Sequence, residues 1–172
     1  MSDNGLNYYD YVEDIKDFPK PGINFKDISP LLKDFNAFGR AILEMSFLVK
    51  ERPKYWVGAD ARGFIFASAL AAHNQNGMIM CRKKGKLPPP TLDYSYTTEY
   101  SEDTLDIKEG SGDVYVVDDV LATGGTLQAM VDLCKNAGYN VTGAMVLMDL
   151  KYVPRVSWFD NGLKVQSLLS YE

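Results

Sequence analysis

The sequence predicts an α/β domain built on a central, mostly parallel sheet with helices on its faces. Three observations predict it. Short apolar runs alternate with amphipathic stretches of about 10–15 residues, the signature of βαβ units. The runs at 55–59, 78–81, 114–117 and 141–148 are apolar nearly throughout, as in parallel strands covered on both faces. The chain has 172 residues, of which 46% are hydrophobic, and a chain of this size buries about 70% of its unfolded surface.

The elements follow in order. Tyr8, Tyr11, Val12 and Ile15 fall at helical spacing, so a helix is expected over 8–17, stopped by Phe18-Pro19-Lys20-Pro21-Gly22. A short extended piece is expected over 23–28. Asp34 is placed to cap a helix over 35–51 that Pro53 ends. Then come a strand at 55–59, a helix at 63–76 and a strand at 78–81. Residues 82–112 interrupt the rhythm with a basic run, Pro88-Pro89-Pro90, and two β-like pieces at 92–97 and 104–107. Long loops of this kind are often lids or binding loops. The alternation resumes with a strand at 114–117, a helix at 126–137, a strand at 141–148 and a last strand at 165–169.

Composition narrows the function classes. With 18 Lys plus Arg against 23 Asp plus Glu the formal charge is −5, the opposite of a nucleic-acid-coating footprint. Small anions remain open, because a local basic loop can oppose the global sign. Cys81 and Cys134 are too few for a disulfide framework. No Cys/His cluster suggests structural zinc. The polar start of the chain is unlike a targeting peptide, and no apolar run approaches the roughly 18 residues of a membrane span. A cytoplasmic protein without membrane or nucleic-acid partners is expected.

The densest chemistry lies in Val114-Tyr115-Val116-Val117-Asp118-Asp119-Val120-Leu121-Ala122-Thr123-Gly124-Gly125-Thr126. An apolar strand runs into two acids, then a small Gly/Thr-rich turn, then a helix. Ligands of open α/β sheets bind at the carboxyl ends of the strands. A glycine-rich turn opening a helix offers free N–H groups and the positive end of the dipole, which suit a phosphate. Two carboxylates would repel that phosphate but accept hydroxyls just beyond it. The spacing therefore describes a cradle for a ribose 5-phosphate. It lacks the Gly-Lys-Ser/Thr of a P-loop and the G-x-G-x-x-G of dinucleotide folds.

This string resembles the phosphoribosyl-pyrophosphate (PRPP) motif of the type I phosphoribosyltransferases. Further segments narrow the resemblance to the adenine-using family: Phe18–Gly22 with 25–32, Gly58-Ala59-Asp60-Ala61-Arg62-Gly63-Phe64-Ile65-Phe66, residues 82–88, residues 95–100 and the terminal 167–172. They lie in family order and span nearly the whole chain. The resemblance implies a single type I phosphoribosyltransferase domain over 1–172, with an N-terminal hood over 1–33 and a basic loop and flexible, hairpin-like lid over 82–112. It implies a pentosyl transfer from PRPP to adenine, with Mg²⁺ carried on PRPP. Phosphoribosyltransferases for another purine, or a non-catalytic PRPP-binding regulator on the same fold, are the alternatives.

By the same resemblance Ala122, Thr123, Gly124, Gly125 and Thr126 hold the 5-phosphate. Asp118 and Asp119 meet the ribose hydroxyls, one of them reaching Mg²⁺ through water. Asp60, Ala61 and Arg62 form the pyrophosphate loop, where relatives carry a strained or cis peptide. Arg82, Lys83 and Lys86 clamp pyrophosphate, and part of this run, with Lys84, reaches a neighbouring subunit, implying a homodimer. Glu99 is the acid/base, with Tyr100 beside it. Ile23, Asn24, Phe25 and Lys26 hold adenine, Lys26 standing where relatives carry Arg and being placed to pair with Glu99. Elsewhere His73 reads as a partly exposed structural residue. Cys81, Cys134, Trp56, Met78, Met80, Met145 and Met148 read as core, and Trp158 is undecided.

Overall fold

The computed structural model describes residues 6–97, 102–157, 159 and 162–172. The start of the chain, Glu99, Tyr100 and Trp158 lie outside these. The chain divides into two compact units, Met1–Glu44 and Met45–Glu172.

In the first unit Asn7 caps a single 3-10 turn, Tyr8–Tyr11. Strand β1, Glu13–Lys16, follows and pairs antiparallel with β2, Asn24–Asp27. This corrects the helix expected over 8–17. Of the residues at helical spacing only Tyr8 and Tyr11 share a helical turn, and from Glu13 the backbone bonds are made across to β2. The prolines and Gly22 that were expected to stop a helix instead turn a hairpin, in which the Gly22 N–H donates to Asp17 Oδ1 at 2.7 Å. A five-residue helix, α1 (Ser29–Lys33), comes next. The Asp34 carboxylate then accepts the Ala37 N–H at 2.8 Å and starts α2, Phe35–Leu48, which ends three residues earlier than expected.

The second unit is a seven-stranded sheet. Its strands are β3 (Tyr55–Ala59), β4 (Gly77–Lys83), β5 (Leu92–Thr97), β6 (Glu102–Ile107), β7 (Gly112–Leu121), β8 (Tyr139–Leu150) and β9 (Val165–Tyr171). They lie in the order β5-β6-β4-β3-β7-β8-β9. The β4–β3, β3–β7, β7–β8 and β8–β9 pairs are parallel, while β5 and β6 form the expected antiparallel hairpin at one edge. Helix α3, Arg62–Asn74, joins β3 to β4, and α4, Gly125–Asn136, joins β7 to β8. Val57, Val116, Met145, Val146, Phe66, Leu70, Met130 and Leu133 are fully buried. Each such side chain contributes about 1.5–3 kcal/mol relative to exposure. Cys81, Cys134, Trp56, Met145 and Met148 are buried as expected, and both thiols are free.

The two methionines of β4 are a correction. Met80 is 43% exposed and Met78 half-buried. The reason is in the alternation of side chains along the strand: Ile79 and Cys81 face the buried cluster, while Met78 and Met80 point to the opposite, less covered face. A second difference concerns β7, which continues through Asp118 and Asp119 to Leu121 rather than ending before them.

Helix α3 lies against the strands without an intervening side chain. A Cβ on Gly58 would stand 2.7 Å from the Gly63 carbonyl oxygen and 2.8 Å from Ala67 Cβ. Gly58→Ala should therefore destabilise the protein by about 1–3 kcal/mol, the usual cost of overpacking. Urea unfolding followed by circular dichroism measures it, and an unchanged midpoint would show that α3 can withdraw freely.

Candidate active site

The pocket lies at the carboxyl ends of β3 and β7. It is lined by residues 59–62 and 118–127 and has a volume of about 240 Å³. The structure thus brings together Asp60, Ala61 and Arg62 with Asp118, Asp119 and the whole Ala122–Thr126 turn.

Each component follows from local chain chemistry. Gly124 has a φ of +87°, and a Cβ there would strike the Phe159 ring at 2.4 Å, so only glycine fits the turn. Its carbonyl accepts the Gln128 N–H at 2.9 Å as α4 begins. The first N–H groups of α4 have no partner within the helix. The Thr123 and Thr126 hydroxyls flank them, and the buried phenol of Tyr96 on β5 reaches Thr126 Oγ1 at 3.3 Å. The Asp60–Ala61 peptide is cis, a feature invisible in the sequence.

The charges are paired across the pocket. Arg62 Nε stands 3.0 Å from Asp119 Oδ2, and the Asp119 side chain is only 5% exposed. Asp118 Oδ1 accepts the Asp119 N–H at 2.9 Å. Burial pushes Asp118 well above the ordinary carboxylate range, and the adjacent Asp119 charge adds to this. Burial also raises Asp119, with Arg62 pulling against it. Two neighbouring buried acids of this kind titrate as a pair.

Asp60 is the opposite case. Burial works to raise it, but Lys86 and Arg82 outweigh burial and hold it below its ordinary value. Arg82 Nε and Lys86 Nζ both lie 3.4 Å from its Oδ2. The basic run therefore divides. Arg82 and Lys86 converge on Asp60 beside the pocket, whereas Lys83 lies 4.0 Å from Asp103 and Lys84 2.9 Å from Asp93, both acids of the β5–β6 hairpin.

The remaining expected residues are not among the described residues that line this pocket. Ile23, Asn24, Phe25 and Lys26 belong to the first unit, where Phe25 packs edge-on against Phe18 with centroids 5.3 Å apart. Lys26 is paired with Asp14 at 2.5 Å; its expected partner Glu99 lies outside the described residues, as does Tyr100. His73 is exposed near the end of α3. Sequence reasoning gave no role to Tyr96, Arg155 or Phe159. No local signal marks them, since their partners are a hydroxyl, backbone carbonyls and a missing Cβ far along the chain.

Comparison with known proteins matches residues 33–161 to the phosphoribosyl transferase domain. An adenine phosphoribosyltransferase of Bdellovibrio bacteriovorus is 44% identical over 168 residues, covering 93% of this chain and 96% of its own. Among solved structures, the adenine phosphoribosyltransferase of Thermoanaerobacter pseudethanolicus superposes with a TM-score of 0.85 at 37% identity, over 95% of this chain and 97% of that one. The APRTase of Giardia lamblia, complexed with 9-deazaadenine, gives a TM-score of 0.87 at 29% identity, over 95% and 96%.

The raised Asp118 carboxyl has a measurable consequence. Below about pH 4 the acid is protonated in folded and unfolded chains alike and costs nothing. As pH rises, the unfolded chain releases the proton while the folded one holds it, so the wild type loses stability up to the raised folded value. Asp118→Asn keeps an acceptor for the Asp119 N–H and removes this penalty. Its melting temperature should gain on the wild type as pH rises from about 4 towards the raised folded value; a difference that is flat with pH would contradict the raised value.

Proposed function

The chain belongs to the phosphoribosyl transferase family, among its adenine-using members, and we propose that the pocket at the ends of β3 and β7 is where it binds PRPP. Its reaction passes the 5-phosphoribosyl group from PRPP to N9 of adenine, giving AMP and pyrophosphate in purine salvage. It is a glycosyltransferase of the pentosyl-transferring class. The observation that carries the site assignment is the junction of an N–H-rich helix start, two carboxylates and the Arg62 loop around one cavity.

Ala122–Thr126 receives the 5-phosphate on the N–H groups and hydroxyls of the turn, with the α4 dipole behind them. Asp118 and Asp119 accept the ribose hydroxyls, which fixes the sugar with C1′ facing adenine. Arg62 stabilises the departing pyrophosphate by charge-assisted hydrogen bonds. Arg82 and Lys86, with Lys83 beside them, extend the same positive field, and Asp60 holds the first two in place. As the C1′–O bond to pyrophosphate breaks and N9 closes on C1′, positive charge grows on the sugar and negative charge on the leaving group. Catalysis here is positioning together with preorganised charge. Glu99 manages the proton of adenine, Tyr100 stands beside it, and Ile23, Asn24, Phe25 and Lys26 bind the base. Enclosure by residues 82–112 excludes water from the reactive sugar.

Mg²⁺ carried on PRPP would neutralise part of that substrate's charge. Asp118 or Asp119 would supply an oxygen to this hard cation through water. Residues 1–172 act as one phosphoribosyltransferase domain, with 1–33 as its hood. A homodimer agrees with the resemblance that sends part of the basic run to a neighbouring subunit. A cytoplasmic site agrees with two free, buried thiols, and no described helix is long and apolar enough to cross a membrane.

Purified protein given PRPP, Mg²⁺ and each nucleobase should form AMP from adenine. Turnover of hypoxanthine or guanine in its place would move the base assignment and keep the reaction class. Glu99→Gln should lower kcat by about 10²–10⁴-fold, the usual contribution of general acid–base catalysis, while PRPP binding persists. An unchanged rate would remove Glu99 from the mechanism.

A further inference from the structure

A turn that receives an anion on its N–H groups sends carbonyl oxygens the other way, and buried carbonyls need donors. Behind the phosphate turn those donors come from one segment beyond β8. The Arg155 guanidinium donates through one terminal nitrogen to the carbonyl of Ala122 and, at 3.3 Å, to that of Leu121. Its other terminal nitrogen is bound by Asp149 Oδ1 near the end of β8. The next residue continues the strap: the Val156 N–H donates to the Thr123 carbonyl at 2.9 Å. Phe159 then fills the space that Gly124 leaves without a Cβ, and its ring lies 5.9 Å from the guanidinium. Three successive carbonyls, 121 to 123, are thus held from behind.

We propose that Arg155 is a positioning residue for the phosphate turn, anchored by Asp149 and acting on the 5-phosphate only through the backbone it holds. This rests on the reading of the pocket as a PRPP site. A guanidinium suits the task because its planar fork serves several acceptors at once, which an ammonium does not do in fixed geometry. Asp149 balances its charge, so the side chain stays behind the turn. With the carbonyls held, the opposing N–H groups keep their aim before substrate arrives, and none of the binding energy is spent on ordering them.

The test compares wild type, Arg155→Lys, Arg155→Met, Asp149→Asn and the exposed control Lys151→Ala. Calorimetric titration with ribose 5-phosphate and steady-state kinetics are the measurements. Arg155→Met should weaken ribose 5-phosphate and raise KM for PRPP about tenfold, the lower end of the effect of removing a group that orients a ligand-binding one, while KM for adenine stays constant. Arg155→Lys should recover part of the loss, Asp149→Asn should fall between, and Lys151→Ala should match wild type. Unchanged ribose 5-phosphate affinity in Arg155→Met, or a lowered melting temperature with both KM values unmoved, overturns the inference. If Arg155→Met does not fold, Arg155→Lys and Asp149→Asn decide by the same comparison. A wild type that neither binds ribose 5-phosphate nor forms AMP overturns the pocket assignment instead, so the two failures are distinct.

Discussion

Helix α3 meets the sheet backbone to backbone, and the pocket is arranged around that contact. A Cβ on Gly63 would stand 2.9 Å from the Val117 carbonyl and 3.1 Å from Asp118 Oδ1, just as one on Gly58 would strike Gly63 and Ala67. With both glycines in place the first turn of α3 lies over the ends of β3 and β7. Arg62, the first residue of that turn, then reaches Asp119 on β7. The loop at Asp60 and Ala61 is drawn to the same cavity. A side chain at either glycine would lift the helix and separate the Arg62 loop from the acids it faces. The packing of one helix thereby sets the distance between the groups assigned to pyrophosphate and those assigned to ribose.

The electrostatics follow from the same closeness. The pocket proposed for the highly anionic PRPP is lined by three acids, two of them held above their ordinary values by burial. Its cations are not left to find the ligand unaided, for Arg62 is held by Asp119, and Arg82 and Lys86 by Asp60. These pairs fix the positive groups at the rim before a ligand enters. In each pair the acid is largely buried while the cation stays partly exposed, so water screens much of the attraction and the pairs serve more to place the cations than to stabilise the fold. The net charge of −5 is therefore no obstacle, because the local field and the global sum are set by different residues.

Much of this was legible in the sequence. The strand at 55–59, the helices after it and after the Thr123–Thr126 turn, and the interrupting hairpin all left strong local patterns. The meeting of 60–62 with 118–126 followed from the rule that ligands gather at the carboxyl ends of parallel strands. Two readings failed for physical reasons. Over 8–17 a few aromatic residues mimic a helical period, while the deciding bonds are long-range pairings to β2. In β4 a run of four apolar residues looks doubly buried, yet only the face of Ile79 and Cys81 meets the core cluster, and Met80 on the other face is exposed. Neither effect has a trace in the local sequence.

Arg155 shows why the second layer of a site is harder to read than the first. The turn at 122–126 announces itself because the phosphate proposed to bind there would demand glycine and hydroxyls at fixed spacing. Its supporting carbonyls demand only a donor, and any donor delivered by the fold will serve. That donor comes from 33 positions along the chain, through a helix and a strand whose own patterns concern the core. Its identity as arginine becomes meaningful only when Asp149, the carbonyls of 121 and 122, and the Phe159 ring are seen around it. A motif thus locates the ligand, while the rigidity that makes the motif effective comes from residues chosen by packing.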